Sequence, residues 1–240
     1  SKLSAPLNSN LKTVMDFSFF DKINTAKNEQ TETWFKGLDR VYNNFVYDFL
    51  YPDPTSVLAF IENHDTDRFL GEGDNLPMLK QASTLLLTPR RIPQLYYGTE
   101  IMMNGVKSKS DGYVRKDFPG GWSDDKANAL TAAGRTKLQN ECYNFYKTLL
   151  NWRKGNEVIA KGNMTQFMVQ HGVYAYARQY NGKTVFVMLN GTDEATTLPL
   201  KYYKEILKDH AQGKDILTGR IINLDGELTM SPRESLVIEI

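Results

Sequence analysis

The rhythm of apolar residues changes near Gly155, and this change is the feature that most restricts the possible folds. Before Gly155, strand-like and helix-like segments alternate three times, which is typical of right-handed βαβ units on a parallel sheet. The strand-like runs are 11–20, 56–63 and 92–101, and the helix-like runs are 33–50, 75–87 and 131–155. The first part of the chain is therefore predicted to be α/β, with three parallel strands.

After Gly155 the runs become short and alternate between apolar and polar residues. They are separated by Asn-Gly, Thr-Gly and Asp-Gly pairs, which favour tight hairpins in an antiparallel sandwich or barrel. We therefore place a domain boundary in 156–162, with an α/β domain at residues 1–156 and a β domain at residues 157–240.

Three βα units are too few to close a barrel, which needs eight units and usually about 250 residues. An open three-stranded parallel sheet would also leave two edges exposed. The chain begins with Ser1-Lys2 and not with methionine. We therefore expect the α/β part to be incomplete as written and the chain to be a processed or truncated piece.

The charge balance argues against two classes of partner. Lys plus Arg number 29 and Asp plus Glu number 28, so no overall field favours nucleic acid or an anionic membrane. No apolar run is long enough to span a membrane. The single cysteine, Cys142, excludes an internal disulfide and a cysteine-based zinc site, and we interpret it as a small buried apolar residue.

A polar cluster follows the second strand-like run directly. Asn63, His64 and Asp65 end the stretch "VLAFIENHD", and Arg68 comes three residues later. Side chains at the C-terminal ends of parallel strands frequently carry function, although an Asx turn with a helix cap would use the same residue types. Both interpretations stay open on the residues alone.

The long aperiodic stretch at 102–128 favours the functional interpretation, because loops of this length are usually functional or disordered. Its segment "SDGYVRKDFPGGW" is too aromatic and too rich in turn residues to be disordered. We expect its polar and aromatic side chains on the same rim, namely Asp111, Arg115, Asp117 and Trp122.

Several of these motifs resemble glycoside hydrolase family 13, the α-amylase family. "FIENHDTDRF" resembles the region of the family's seventh barrel strand, "IPQLYYGTEI" the eighth and "VMDFSF" the sixth. "RKDFPGGW" after "YYGTEI" resembles the neopullulanase and cyclomaltodextrinase branch, and "SPRESLVIEI" the last strand of the following β domain. The resemblance implies the last three βα units of a TIM (β/α)8 barrel, followed by an antiparallel C-terminal β-sandwich.

The resemblance also implies an activity, which is retaining hydrolysis of α-1,4 linkages in maltodextrin, cyclodextrin or pullulan. Such enzymes use a nucleophilic carboxylate and a general acid, and the resemblance places both before Ser1. Asp65 would be the third carboxylate, which stabilises the transition state, and the isolated chain is expected to be inactive. Hydrolysis and transglycosylation are not distinguished.

The remaining site residues carry weaker expectations. By resemblance, His64 would donate a hydrogen bond to the sugar, Asp111 and Arg115 would bind sugars further from the cleavage point, and Asn63 and Arg68 would bind substrate or orient the turn. We interpret the other polar residues near strand ends or in the β domain as structural or surface residues, namely Asp16, Glu100, His171 and His210.

Cofactors and partners follow from the same resemblance. We expect no cofactor or metal in this part, with calcium allowed before Ser1. The expected partners are an α-glucan oligosaccharide and the N-terminal half of the same enzyme, with a homo-oligomer allowed and with no nucleic acid or membrane. The compartment is left open between the bacterial periplasm and cytoplasm. Two alternative functions remain, a non-catalytic amylase-like scaffold and a β domain that acts as a carbohydrate-binding module.

Overall fold

The computed structural model describes residues 12–31 and 34–240. Up to residue 161, six α-helices accompany two short strands, the last helix lying just after the predicted domain boundary. The helices are α1 (Phe17–Ala26), α2 (Asp39–Val46), α3 (Leu76–Leu87), α4 (Asp111–Val114), α5 (Lys137–Arg153) and α6 (Glu157–Lys161), and the strands are β1 (Leu58–Ala59) and β2 (Ile92–Pro93).

The parallel pairing in the first part is present but short. β1 pairs in parallel with β2, with Leu58 opposite Ile92 and Ala59 opposite Pro93. On the other side of β1, Met15 forms a single parallel bridge to Leu58. The three strand-like runs therefore lie side by side in parallel around β1.

The predicted lengths of these strands were wrong. The run 11–20 contributes only the bridge at Met15, because the Asp16 carboxylate accepts a hydrogen bond from the Phe19 amide at 2.8 Å and starts α1 there. The run 92–101 leaves the sheet after Pro93 and turns at Gly98, whose φ is 82°. Residue 11 of the first run lies outside the described residues.

The helix predictions were better. The prediction for 75–87 is confirmed by α3, and α5 begins inside the predicted stretch, because Thr136 and Gln139 form a reciprocal capping box. The predicted helix at 33–50 is shorter than expected. Only its middle is α2, a 3-10 turn covers Tyr47–Leu50, and Trp34 is exposed; residue 33 is not described.

The second part is antiparallel, as predicted. Its strands are β3 (Asn163–Gln170), β4 (Val173–Tyr180), β5 (Lys183–Asn190), β6 (Thr196–Pro199), β7 (Gln212–Asp215), β8 (Ile221–Asn223), β9 (Glu227–Met230) and β10 (Ser235–Glu239), with a short α7 (Lys204–Leu207). One sheet has the order β3-β4-β5-β10-β7-β8 and the other pairs β6 with β9. An apolar cluster that includes Phe186, Met188, Leu198 and Met230 packs residues of both sheets together.

The hairpin signals predicted some turns and missed one. Asn181 and Gly182 both have positive φ, 49° and 73°, as the predicted Asn-Gly turn between β4 and β5 requires. His171 and Gly172 form a similar turn between β3 and β4, with φ of 51° and 77°. The sequence analysis missed β3 and this turn because His-Gly is a weaker hairpin signal.

The two parts of the chain share one core. Phe19, Leu86 and Cys142 from the first part belong to the same buried cluster as Tyr174 and Val187 from the second. Burial raises the pKa of the Cys142 thiol to about 12, as expected for a buried, inert cysteine. The boundary between 156 and 157 stays a prediction. Among residues 12–31 and 34–240, no helix is long and apolar enough to cross a membrane.

Candidate functional site

The polar cluster that follows β1 is an Asx turn that exposes two of its side chains to solvent. The Asn63 side-chain oxygen accepts a hydrogen bond from the Asp65 amide at 2.8 Å, and the Thr66 hydroxyl accepts one from the Asn63 amide at 3.0 Å. Asn63 itself is buried, whereas the side chains of His64 and Asp65 are exposed. The turn thus exposes an imidazole and a carboxylate next to each other.

Arg115 joins this turn to the long loop. Its Nη2 lies 3.0 Å from Asp65 Oδ1 and 3.5 Å from Asp111 Oδ2, and its Nε donates to the His64 carbonyl at 2.8 Å. His64 Nε2 lies 3.2 Å from Asp65 Oδ2, and Lys107 Nζ donates to the Asp65 carbonyl at 3.0 Å. The structure therefore brings together the four predicted residues His64, Asp65, Asp111 and Arg115 in one exposed, charged cluster.

Arg68 supports the cluster from below. Its side chain is fully buried; its Nη1 donates to the Tyr97 carbonyl at 2.7 Å and lies 3.2 Å from Glu62 Oε1, and its Nε donates to the Val114 carbonyl at 3.0 Å. The guanidinium carbon lies 4.0 Å from the centre of the Tyr96 ring, a favourable cation–π distance. Arg68 therefore connects the chain after β1, the chain after β2 and the loop helix α4.

Glu62 is the buried counter-charge of Arg68. Burial raises the pKa of its carboxyl, while hydrogen bonds from the Thr99 hydroxyl and the Phe69 amide and the charge of Arg68 act against that shift. A buried carboxylate needs such donors to stay ionised. The pair is therefore a structural support with matched charges.

The burial of Asn63 and Arg68 favours the interpretation that they orient the turn. Asp16 is also structural, since it caps α1 and lies 2.5 Å from Arg91. His171 lies on the β3–β4 turn, and Trp122 on the long loop is 70% exposed.

Three residues of the site were not predicted, namely Glu62, Lys107 and Tyr97. Glu62 stands at the end of an apolar run, and a charged residue in that place is itself a signal of a buried ion pair. Lys107 lies in the aperiodic stretch, where the spacing of residues gives no signal. Tyr97 contributes its carbonyl oxygen to the site, so the type of its side chain gives no signal either.

No metal centre is visible in the described part of the chain, in which no three His, Cys, Asp or Glu side chains group so as to hold an ion. The arrangement around Asp65 offers a carboxylate, an imidazole and a guanidinium on one surface. All three can hydrogen-bond to hydroxyls, and a carboxylate can stabilise positive charge that develops nearby.

Comparison with known proteins finds one matching family model and several curated relatives. Residues 164–239 match the cyclo-malto-dextrinase C-terminal domain. A cyclomaltodextrin glucanotransferase of Thermoanaerobacterium thermosulfurigenes is 30% identical over 85% of this chain and 27% of its own length. An α-amylase of Niallia circulans is 28% identical over 86% of this chain and 37% of its own length. The chain thus spans between about a quarter and somewhat over a third of the length of these relatives.

Solved structures show the same fold. The α-amylase of Geobacillus thermoleovorans, in a complex with acarbose, superposes with a TM-score of 0.75 at 21% identity, over 95% of this chain and 48% of that one. The γ-cyclomaltodextrin glucanotransferase of Bacillus clarkii superposes with a TM-score of 0.69 at 22% identity, over 94% of this chain and 32% of that one. The chain therefore resembles the α-amylase family, glycoside hydrolase family 13, in sequence and in fold, and its residues 164–239 match the cyclo-malto-dextrinase C-terminal domain.

Proposed function

We propose that this chain forms part of a retaining glycoside hydrolase that acts on α-1,4-linked glucans, and that Asp65 is the carboxylate that stabilises its transition state. The observation that carries the proposal is the exposed cluster of His64, Asp65, Asp111 and Arg115, on the chain segments that follow two adjacent parallel strands. The proteins similar to this chain include amylases and cyclomaltodextrin glucanotransferases, which supports a glucan as the substrate.

The chemistry assigns a distinct task to each group. Cleavage of a glycosidic bond passes through an oxocarbenium-like transition state, so the Asp65 carboxylate would lower its energy by charge attraction and by accepting hydrogen bonds from sugar hydroxyls. His64 would donate to the same sugar. Asp111 and Arg115 would hold a sugar further along the chain, and Arg115 would also orient Asp65.

We further propose that the nucleophile and the general acid come from outside these 240 residues. Retaining cleavage needs a nucleophile and a general acid about 5–5.5 Å apart, and Asp111 is the carboxylate that shares the Arg115 guanidinium with Asp65. Asp65 and Asp111 both contact Arg115 and have the other roles proposed above, so we assign neither of them as the general acid.

The parallel segments support a position for the nucleophile and the general acid on other strands of the same sheet. We propose that Met15, β1 and β2 belong to strands six, seven and eight of a (β/α)8 barrel. Side chains beside this ladder are exposed although apolar, namely Val14, Met15, Phe17, Ile92 and Leu95. Exposed apolar residues along a short parallel ladder suggest that further strands cover them.

The isolated 240-residue chain is expected to show no turnover of a nitrophenyl maltoside, because a missing nucleophile removes the covalent step. The same assay on the gene product that includes the residues encoded before Ser1 should show turnover. Hydrolysis by the isolated chain would contradict the proposed division of the catalytic groups.

In that longer product, Asp65→Asn is expected to lower kcat by about 10²–10³, the usual cost of losing one electrostatic stabiliser of a transition state. Asp67→Asn is the matched control, since Asp67 is a neighbouring carboxylate whose oxygen accepts a hydrogen bond from the Lys107 amide. A kcat for Asp65→Asn within threefold of the control would reject the assigned role.

A further inference from the structure

A second cleft lies where three loops of the two parts of the chain meet. It has a volume of about 530 Å³ and is bordered by Gln30, Thr31 and Trp34, by the β3–β4 turn and by the β5–β6 loop. Its lining includes Trp34, Asp39, Met168, His171, Thr192 and Glu194. This volume is in the range of small-molecule sites, and the cleft contains none of the residues of the Asp65 cluster.

Trp34 is the largest side chain on its wall and is 70% exposed. An indole that contributes little to the core is costly to expose, and a flat aromatic face can stack on the apolar face of a sugar ring. The spacing of apolar residues in 33–50 predicts Trp34 on the apolar face of a helix, but α2 starts only at Asp39. The segment before α2 instead presents the indole to the cleft.

The conformation of that segment is held by a buried carboxylate. Phe35 has a φ of 62°, a strained value for a bulky residue. Asp39 Oδ2 accepts hydrogen bonds from the Phe35 amide at 2.6 Å and from the Asn43 side chain at 2.8 Å. Strain that neighbouring groups enforce tends to occur at binding sites.

The charged side chains that line the cleft are the carboxylates of Asp39, Asp193 and Glu194, and its described lining contains no lysine or arginine. Asp193 is paired with Arg233, a buried residue outside the lining, whose Nε lies 2.6 Å from Asp193 Oδ1, and the Asp193 amide donates to the Gln30 side chain at 3.0 Å. An anionic ligand would meet carboxylates and no guanidinium or ammonium group, so the cleft suits a neutral ligand better than a phosphate or a carboxylate.

His171 borders the opening from the β3–β4 turn. The centre of its ring lies 5.9 Å from that of Tyr202, and its Nε2 lies 3.5 Å from the Tyr202 hydroxyl. The exposed Glu194 and the hydroxyl groups of Thr192 and Thr196 add hydrogen-bonding groups along the same cleft. An aromatic plane with several polar groups around it is a combination that recognises a polyol.

We propose that this cleft binds a neutral oligosaccharide, an α-glucan, separately from the Asp65 cluster, with Trp34 stacking on a sugar ring. The choice of an α-glucan over other neutral sugars rests on the proposed function, whereas the assignment to a sugar rests on the cleft itself. The site would hold a polymeric substrate on the same molecule that cleaves it, which raises its local concentration.

The test is calorimetric titration of the 240-residue chain with maltoheptaose, with cellohexaose as the comparison ligand. Trp34→Ala is expected to weaken maltoheptaose binding by at least about tenfold, which corresponds to ~1.4 kcal/mol, and Trp34→Phe is expected to weaken it less. Trp122→Ala is the matched control, because Trp122 is equally exposed but lies on the long loop. Unchanged urea midpoints would show that the variants are folded.

Each outcome decides the proposal. Loss of binding in Trp34→Ala with retention in Trp122→Ala supports it. Absence of binding in the unaltered chain, equal binding by Trp34→Ala, or loss only in Trp122→Ala overturns it. Equal affinity for cellohexaose would reject an α-glucan as the specific ligand of the cleft. Because the assay needs no turnover, its failure is distinguishable from failure of the proposed catalytic function.

Discussion

Arg68→Met is expected to lower the free energy of unfolding by about 3–5 kcal/mol, the usual cost of removing one partner of a buried ion pair. Methionine fills much of the same volume but leaves Glu62 buried without its cation, and the carbonyls of Tyr97 and Val114 lose their donor. The loop that carries Arg115 would also lose its attachment beneath the Asp65 cluster. Urea unfolding followed by circular dichroism measures the loss.

Arg115→Met is the matched control for this experiment. Arg115 belongs to the same loop, but its ion pair with Asp65 is exposed to solvent, and such pairs contribute at most about 1 kcal/mol. The double variant Glu62→Leu/Arg68→Met should recover part of the loss, since a buried pair replaced by apolar residues is often neutral. If Arg68→Met unfolds within 1 kcal/mol of the unaltered protein, Arg68 is not the support that the geometry implies.

Arg91→Met is expected to have a comparable effect, about 3–5 kcal/mol, because it leaves two buried carboxylates without their shared cation. Arg91 Nη1 lies 2.5 Å from Asp16 Oδ2 and Nη2 lies 2.6 Å from Asp48 Oδ1, and all three side chains are almost fully buried. This cluster joins the residue before α1, the turn after α2 and the chain just before β2.

The loss in Arg91→Met should depend on pH. Burial already raises the pKa of Asp48, while Arg91 counteracts that shift, so the variant raises it further. A folded-state pKa above the unfolded value means that the folded protein binds more protons, and stability then falls as pH rises. The loss in the free energy of unfolding, relative to the unaltered protein, should therefore be smaller at about pH 4 than at about pH 7.

Arg90→Met provides the control for Arg91→Met. Arg90 contacts the same carboxylate, with its Nε 3.2 Å from Asp48 Oδ2, but its side chain is 31% exposed. Its loss should cost no more than about 1 kcal/mol. Equal losses for the two arginine variants would show that burial does not distinguish them.

Local rules predicted the secondary structure where a residue's own chemistry decided the outcome. Pro77 and the cap at Asn75 belong to a helix start, and α3 follows them. Asn181-Gly182 favours a tight turn, and β4 and β5 meet there. The same rules failed at 11–20, where an apolar run suggested a strand but the Asp16 cap turned the chain into a helix.

The site was predicted in part for a similar reason. The position of Asn63, His64 and Asp65 after an apolar run indicated the end of a strand, and the motifs indicated a sugar-binding function for Asp111 and Arg115. The contact of Arg115 with Asp65, two side chains that are 50 residues apart, depends on how the loop after β2 folds back. Only tertiary packing brings them together.

By itself, the sequence determined the α/β order of the first part, the antiparallel hairpins of the second and the residue types at the Asp65 turn, because these follow from periodicity, caps and turn residues within a few positions. The tertiary structure alone decided that Glu62 and Arg68 are a buried pair, that Arg91 is shared by Asp16 and Asp48, and that Trp34 faces a cleft and not a core. These outcomes depend on burial, because burial sets the free-energy cost of a charged group and decides whether an indole is exposed. Burial is decided by segments far apart in the sequence.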